Sequence, residues 1–437
     1  MIDIQESDRR VVITGMGLVS PVGSTTEEFF SALTEGRCGI SQVESLAATA
    51  FPGNYAGEVK GFDSSTIKAV VPKRQRKFVR VMCREIQLGV TSASLAMESS
   101  GVDAEQIDHS RLGVEFGANQ MFSPPWVLKM GCDECLDPTD GHFEYDRWGI
   151  DGLRGMEPLW LLKYLPNMPA CHIGIIADAR GPNNSLTLAE ASGNLVLGEA
   201  FRVIKRNAAD LMIAGTGGSR LNPIKTIHAA MWNELAEPCN GPETMCRPFD
   251  ADRNGQVPGE GACSLILEEE SHARERGATI YGTLLSSGAS CVVDRDGRAD
   301  SFRAMVNAMQ AALKSAGVAP EEIGHINAHG LGERQADAAE SRAIAEVFGA
   351  VATSVPVTSL KGHLGNSGAA CGTLEIAGSL LGLRAGVVPP TLNYQTPDPE
   401  CPLNVVHGQP LATANKVFLN VNVTAQGQAS AVVVCGA

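Results

Sequence analysis

Short apolar runs alternate along this chain with longer stretches in which apolar residues recur every three or four positions. Residues 11–13, 211–214 and 263–267 read as buried strands. Phe302, Met305, Val306, Met309, Ala312 and Leu313 mark an amphipathic helix that stops near Gly317. The helix carrying Ser271 to Arg276 ends at Gly277, a C-cap signal. Near the end of the chain a strand pair is broken at residues 422–428. Strand and helix alternate in two similar halves, which predicts stacked α/β layers with ligands at the strand ends. The halves are placed at residues 1–268 and 269–437.

The most informative local pattern is Gly181-Pro182-Asn183-Asn184-Ser185-Leu186-Thr187-Leu188-Ala189-Glu190-Ala191-Ser192-Gly193. It predicts a turn, a short strand, and a helix opened by Ala191, Ser192 and Gly193. Val196, Ala200, Val203 and Ile204 form that helix's apolar face, and Glu199, Arg202, Lys205 and Arg206 face out. Glu190 therefore sits at a strand-to-helix corner, on the positive end of a helix. Such a corner stabilises anions and often carries a nucleophile. A carboxylate there is a poor nucleophile for acyl chemistry. A structural Glu190 would accept backbone N–H bonds and stabilise the helix by about 0.3–1 kcal/mol.

Composition narrows the class. At 437 residues and 44% hydrophobic the chain can bury a large core, and its formal net charge of −14 argues against nucleic acid as a general partner. Against that acidity, residues 72–84 are basic: Lys73, Arg74, Arg76, Lys77, Arg80 and Arg84. Such a patch suits an acidic partner, or simply a solvated helix face. The twelve cysteines show no pairing rhythm, residues 1–10 carry no signal-peptide core, and no apolar run reaches membrane-spanning length. A soluble cytoplasmic protein with reduced thiols, no metal and no cofactor is expected. Cys132-Asp133-Glu134-Cys135 lacks a second ligand pair and reads as a loop with incidental thiols. Gly15-Met16-Gly17-Leu18-Val19-Ser20 resembles a dinucleotide fingerprint, but Pro21 and Gly23 stand where the phosphate helix should begin, so a tight structural turn is favoured. Residues 119–170 form an irregular insertion suited to a cavity wall, an interface or a surface excursion.

Five stretches together resemble the β-ketoacyl-acyl-carrier-protein synthases of the elongating (KAS II-like) type, in the thiolase superfamily. They are residues 11–23, residues 247–262, Asn327-Ala328-His329-Gly330, residues 359–368, and Pro389-Pro390-Thr391-Leu392-Asn393. The resemblance covers nearly the whole chain. It implies a duplicated five-layer αβαβα fold, a dimer, an acyl tunnel, and an acyl carrier protein bearing phosphopantetheine-linked acyl or malonyl groups as partner. In that family a Cys at the corner takes the acyl chain, and two histidines drive decarboxylation of the malonyl carrier. The alignment puts Glu190 at the Cys position, His329 at the first His, Lys361 at the family's Lys and Glu375 at its acidic partner. The second His falls on Asn366, with His363 nearby. The family's Gly-Phe-Gly-Gly stretch, with its oxyanion-hole amide, falls on Val423-Thr424-Ala425-Gln426. Lys73, Arg76 and Lys77 match the carrier-docking basic residues.

Three functional expectations follow. The first is a non-condensing partner, like a chain-length factor, forming a homodimer or a heterodimer with a Cys-containing ketosynthase. The second is a malonyl-carrier decarboxylase using Glu190, His329 and Asn366. The third is another acyl transfer with Glu190 as general base beside His329.

Overall fold

The computed structural model describes residues 9–238 and 240–437. The start of the chain read above for a signal peptide lies, for residues 1–8, outside the described residues, as does Cys239.

The first half contributes strands Val11–Val19, Leu112–Ala118, Asn183–Leu186, Leu211–Ser219 and Glu260–Glu269. Across the sheet they lie in the order third, second, fourth, fifth, first. The second half contributes Gly282–Cys291, His325–Asn327, Pro356–Thr358, Val417–Val423 and Gln428–Gly436, in the same order. Asn404–Val405 adds one outer strand beside the third. In each half the second strand pairs in parallel with the third and fourth, while the fifth pairs antiparallel with the fourth and first. The halves meet where Val11–Ile13 pairs antiparallel with Gly282–Leu284. Repetition of both order and direction is the structural mark of a duplicated unit.

Helices complete five layers. Arg84–Ser100 packs on the outer side of the first half, against Val11–Val19, Leu211–Ser219 and Glu260–Glu269. Ser301–Ala316 does the same on the second half, against Gly282–Cys291 and Gln428–Gly436. Ser192–Lys205 and Cys371–Arg384 lie between the halves and touch strands of both. This position explains their sequences: Cys371–Arg384 is buried almost all round, as a helix enclosed by two sheets must be. Leu197, Ile204, Leu374 and Leu380 meet Leu265 and Val432 in the central core. Gly193 and Gly372 let these two helices cross, since a Cβ on Gly193 would stand 2.9 Å from the Gly372 Cα. The crossing fixes the start of the Ser192 helix, and with it Glu190.

The tight turn expected at Gly15 and Gly17 is not there: both glycines lie within strand Val11–Val19, the turn follows at Ser20–Gly23, and they have the same use as Gly193 and Gly372. A Cβ on Gly17 would lie 2.2 Å from the Ser92 carbonyl oxygen, and one on Gly15 would lie 2.5 Å from that of Ala96. They admit the Arg84–Ser100 helix onto the first strand. The 119–170 insertion forms the helix Pro125–Asp133 and a series of short turns, and leaves Trp126, Met130, Tyr145, Ile150 and Leu159 exposed. Cys132 and Cys135 are free thiols. Among the described residues no helix is long and apolar enough to cross a membrane, and no cluster of three or more His, Cys, Asp or Glu could hold a metal ion.

Candidate active site

Strand Asn183–Leu186 leads into a one-turn 3-10 helix, Ala189–Ala191, and then into Ser192–Lys205. Ala189 takes φ +42°, the left-handed region that a Cβ disfavours. The corner is fastened from two sides: the Leu188 N–H donates to Ser192 Oγ at 3.0 Å, and Ser430 Oγ donates to the Ala191 carbonyl at 2.9 Å. Glu190 thus stands in the turn ahead of the helix, 7% exposed.

The expectation that its carboxylate is held by backbone N–H groups of the helix does not hold. Among the described residues its hydrogen bonds come from side chains. Arg220, at the end of strand Leu211–Ser219, forms an ion pair with Glu190 Oε1. Asn366 Nδ2 donates to the same oxygen at 3.0 Å. The kink at Ala189 sets Glu190 before the first helical turn, where its carboxylate lines a cavity beside the guanidinium.

Asn366 is fully buried and its orientation is settled by its neighbours. Its Oδ1 accepts from the Gly368 N–H at 3.0 Å, which leaves Nδ2 to face Glu190 and also Gln256 Oε1, at 2.7 Å. Gln256 Nε2 in turn donates to Glu333 Oε1 at 2.7 Å. Burial, with the charges of Asp337, Glu234 and Glu190 adding to it, raises the Glu333 carboxyl to about 7.

His329 follows strand His325–Asn327, where the backbone N–H groups of His329 and Gly330 donate to Glu340 at 2.6 and 2.8 Å. The residue is 2% exposed, with Nδ1 3.3 Å from Asn422 Nδ2 and, among the described residues, no partner on Nε2. Burial, then the positive charges of Lys361 and Arg220, hold its pKa well below the usual imidazole value, so the ring is neutral. Lys361 Nζ donates to Glu375 Oε1 at 2.5 Å, and Asn422 Nδ2 donates to Glu375 Oε2 at 2.8 Å. Burial opposes the Lys361 charge, but the Glu375 carboxylate outweighs it and raises the ammonium pKa. His329, Asn422, Glu375 and Lys361 therefore form one connected polar centre.

The structure brings Glu190 and Asn366 into contact and turns His363 elsewhere. The two ring nitrogens of His363 lie 2.9 Å from the Arg37 carbonyl and 3.0 Å from the Pro390 carbonyl, which makes this residue a brace between loops. Thr424 lines the cavity with Val423, Ala425 and Gln426, and its backbone N–H donates to the Gln428 carbonyl at 2.8 Å. The cavity measures about 700 Å3 and is also walled by Asn119, Arg220, Trp232, Gln256 and Glu333. In the 3-10 helix Lys73–Val81, Lys73 and Lys77 are exposed and Arg76 is half-buried. None of the three makes an ion pair with a described residue. Arg84, from the same basic run, is half-buried and paired, its Nε 2.9 Å from the buried Glu260 Oε2.

Sequence reasoning missed Arg220, Gln256, Glu333 and Asn422. Arg220 had a signal: a lone cation just past a buried strand, at the end where ligands gather. Asn420 and Asn422 alternate inside the apolar strand Val417–Val423, and two buried polar residues on one face are a signal too. Gln256 and Glu333 had none, because their meeting depends on tertiary packing.

Comparison with known proteins accounts for this architecture. Residues 8–273 match the family model "Beta-ketoacyl synthase, N-terminal domain", and residues 281–395 match "Beta-ketoacyl synthase, C-terminal domain". The chain belongs to the β-ketoacyl synthase family and has the thiolase-like fold. It is 34% identical over 402 residues to 3-oxoacyl-[acyl-carrier-protein] synthase 2 of Coxiella burnetii, covering 91% of each chain. It is 34% identical to the oxytetracycline polyketide putative beta-ketoacyl synthase 1 of Streptomyces rimosus, over 91% of this chain and 90% of that one. Among solved structures, the ishigamide ketosynthase/chain length factor superposes with a TM-score of 0.84 at 25% identity, covering 98% of this chain and 99% of that one. A type II polyketide acyl-carrier protein in complex with its ketosynthase gives 0.80 at 26% identity, over 98% of this chain and 100% of that one. This is a β-ketoacyl synthase-like protein of fatty-acid or polyketide biosynthesis.

Proposed function

We propose that this chain is a non-condensing subunit of chain-length-factor type, which pairs with a Cys-bearing ketosynthase and meets its acyl carrier protein. The observation that carries the reading is the state of Glu190. At the position the resemblance gives to the acyl-accepting thiol stands a carboxylate, and it is already committed to Arg220 and Asn366. A carboxylate so held neither attacks a thioester nor leaves as a thiolate does. The exposed apolar side chains of the 119–170 insertion support pairing with another subunit. Similarity to a ketosynthase/chain length factor structure supports it as well. Lys73, Arg76 and Lys77, which form no ion pair with a described residue, are assigned to carrier docking, and the two halves are proposed to meet near residues 268 and 269, at the end of strand Glu260–Glu269. Co-expression with candidate ketosynthases followed by native mass spectrometry tests the pairing. A heterodimer is expected; a self-sufficient homodimer that never exchanges subunits would overturn it.

A second reading is favoured by one observation. His329 is buried, burial holds its pKa low, and among the described residues its Nε2 has no partner. Such a nitrogen could accept a hydrogen bond during malonyl-carrier decarboxylation. Release of carbon dioxide that is lost in His329→Ala would establish this activity, and no turnover in the intact protein would remove it.

A further inference from the structure

The cavity and the His329 centre are neighbours: Leu331, two residues past His329, and Val423, next to the Asn422 that meets His329 Nδ1, both line the cavity. Glu190, Arg220, Gln256 and Glu333 lie on the cavity wall. His329 and Asn366, 2% and 1% exposed, are not part of that wall. Asn366 bonds to Glu190 and Gln256 from the buried side. The charge of Arg220 lowers the His329 pKa, in keeping with that nearness.

We infer that the Glu190–Arg220 ion pair, extended by the Asn366, Gln256 and Glu333 hydrogen bonds, is a plug between the cavity and His329 that refuses acyl thioesters. Arg220 is then a second determinant of the altered site, independent of the missing thiol. The plug is self-consistent in charge and hydrogen bonding. The guanidinium has a carboxylate partner, and the Asn366 and Gln256 amides each bridge two neighbours in one chain of bonds. Such a network is held more firmly than any single side chain across a passage, because displacing one member leaves another buried and unpaired. The inference rests on the reading that thioester-linked acyl groups enter this cavity.

Carbethoxylation by diethyl pyrocarbonate tests it, because the reagent attacks neutral imidazole nitrogens and peptide mass spectrometry separates the histidines. In the intact protein His329 is expected to stay unmodified while His228, on the cavity wall, reacts. In Glu190→Ala, Arg220→Ala and the double variant Glu190→Ala/Arg220→Ala, His329 should react about tenfold faster or more, as when access limits the rate. The double variant leaves neither charge stranded and decides the matter if a single variant does not fold. His325 and His363, both fully buried elsewhere, are the internal reference. An unchanged His329 rate would overturn the plug, and so would a rise shared by His325 and His363, which would show general loosening. The subunit reading stands or falls separately, on heterodimer formation.

Discussion

Ala189 occupies a backbone region that costs a residue with a Cβ roughly 1–2 kcal/mol. Glycine removes most of that cost and gives back part of it as unfolded-state entropy. Ala189→Gly is therefore expected to raise stability by up to about 1 kcal/mol, and Ala189→Val to lower it, in urea unfolding followed by circular dichroism. Equal midpoints would show that the corner is unstrained. Glu333 gives a pH test at the same scale. Folded, it keeps its proton to about pH 7, whereas its ordinary value is 4.5. The folded state thus binds the extra proton between those values. This contribution to stability is complete below pH 4.5 and is lost as the pH rises through 7. Glu333→Gln should make the decline across that window shallower, measured by urea midpoints on either side of it. Burial raises Glu115 to about 7 and Glu340 to about 8, so the slope should diminish and not vanish. At this scale the sequence disclosed the corner and its carboxylate, since strand, turn and helix signals converge on Glu190. It concealed the carboxylate's partners, which come from Arg220, thirty residues on, and from Asn366.

At the scale of elements, the Lys361 turn and the Cys371–Arg384 helix are tied by the buried Lys361–Glu375 pair, both about 2% exposed. Removing one partner leaves the other charge buried. Lys361→Ala is expected to cost about 3–5 kcal/mol, and Glu375→Gln to cost less because its amide still accepts a hydrogen bond. Thermal unfolding of both variants checks this, and similar small losses would place the pair nearer to water. Most elements were legible from periodicity because their environments are simple. The Ser192–Lys205 helix shows its buried and outer faces in its sequence, and Gly317 ends Ser301–Ala316 at φ +65°. His363 is the instructive exception. Its nearness in sequence to Asn366 says nothing about direction, and the short helix Lys361–Leu364 aims it at the Arg37 and Pro390 carbonyls.

At the scale of the molecule, the repeated strand order sets two halves face to face across two buried helices, and the site forms where their strand ends converge. The alternation of elements disclosed this layering, whereas the sequential order of strands in the sheet comes from pairing that no local pattern encodes. The net charge of −14 makes the exposed cations at Lys73 and Lys77, which form no ion pair with a described residue, stand out as a local field. Lys73→Glu/Lys77→Glu should weaken binding of an acidic carrier protein and flatten its salt dependence, as read by titration calorimetry at two ionic strengths. Unaltered binding would place the carrier on another face.

The central claim is that this chain does not condense by itself. Acyl-carrier and malonyl-carrier proteins would be incubated with the purified chain, alone and with a co-expressed Cys-bearing ketosynthase, and the carriers weighed by intact-protein mass spectrometry. The account predicts β-ketoacyl-carrier only when the ketosynthase is present. The same product from the chain alone, lost in Glu190→Ala, would contradict it.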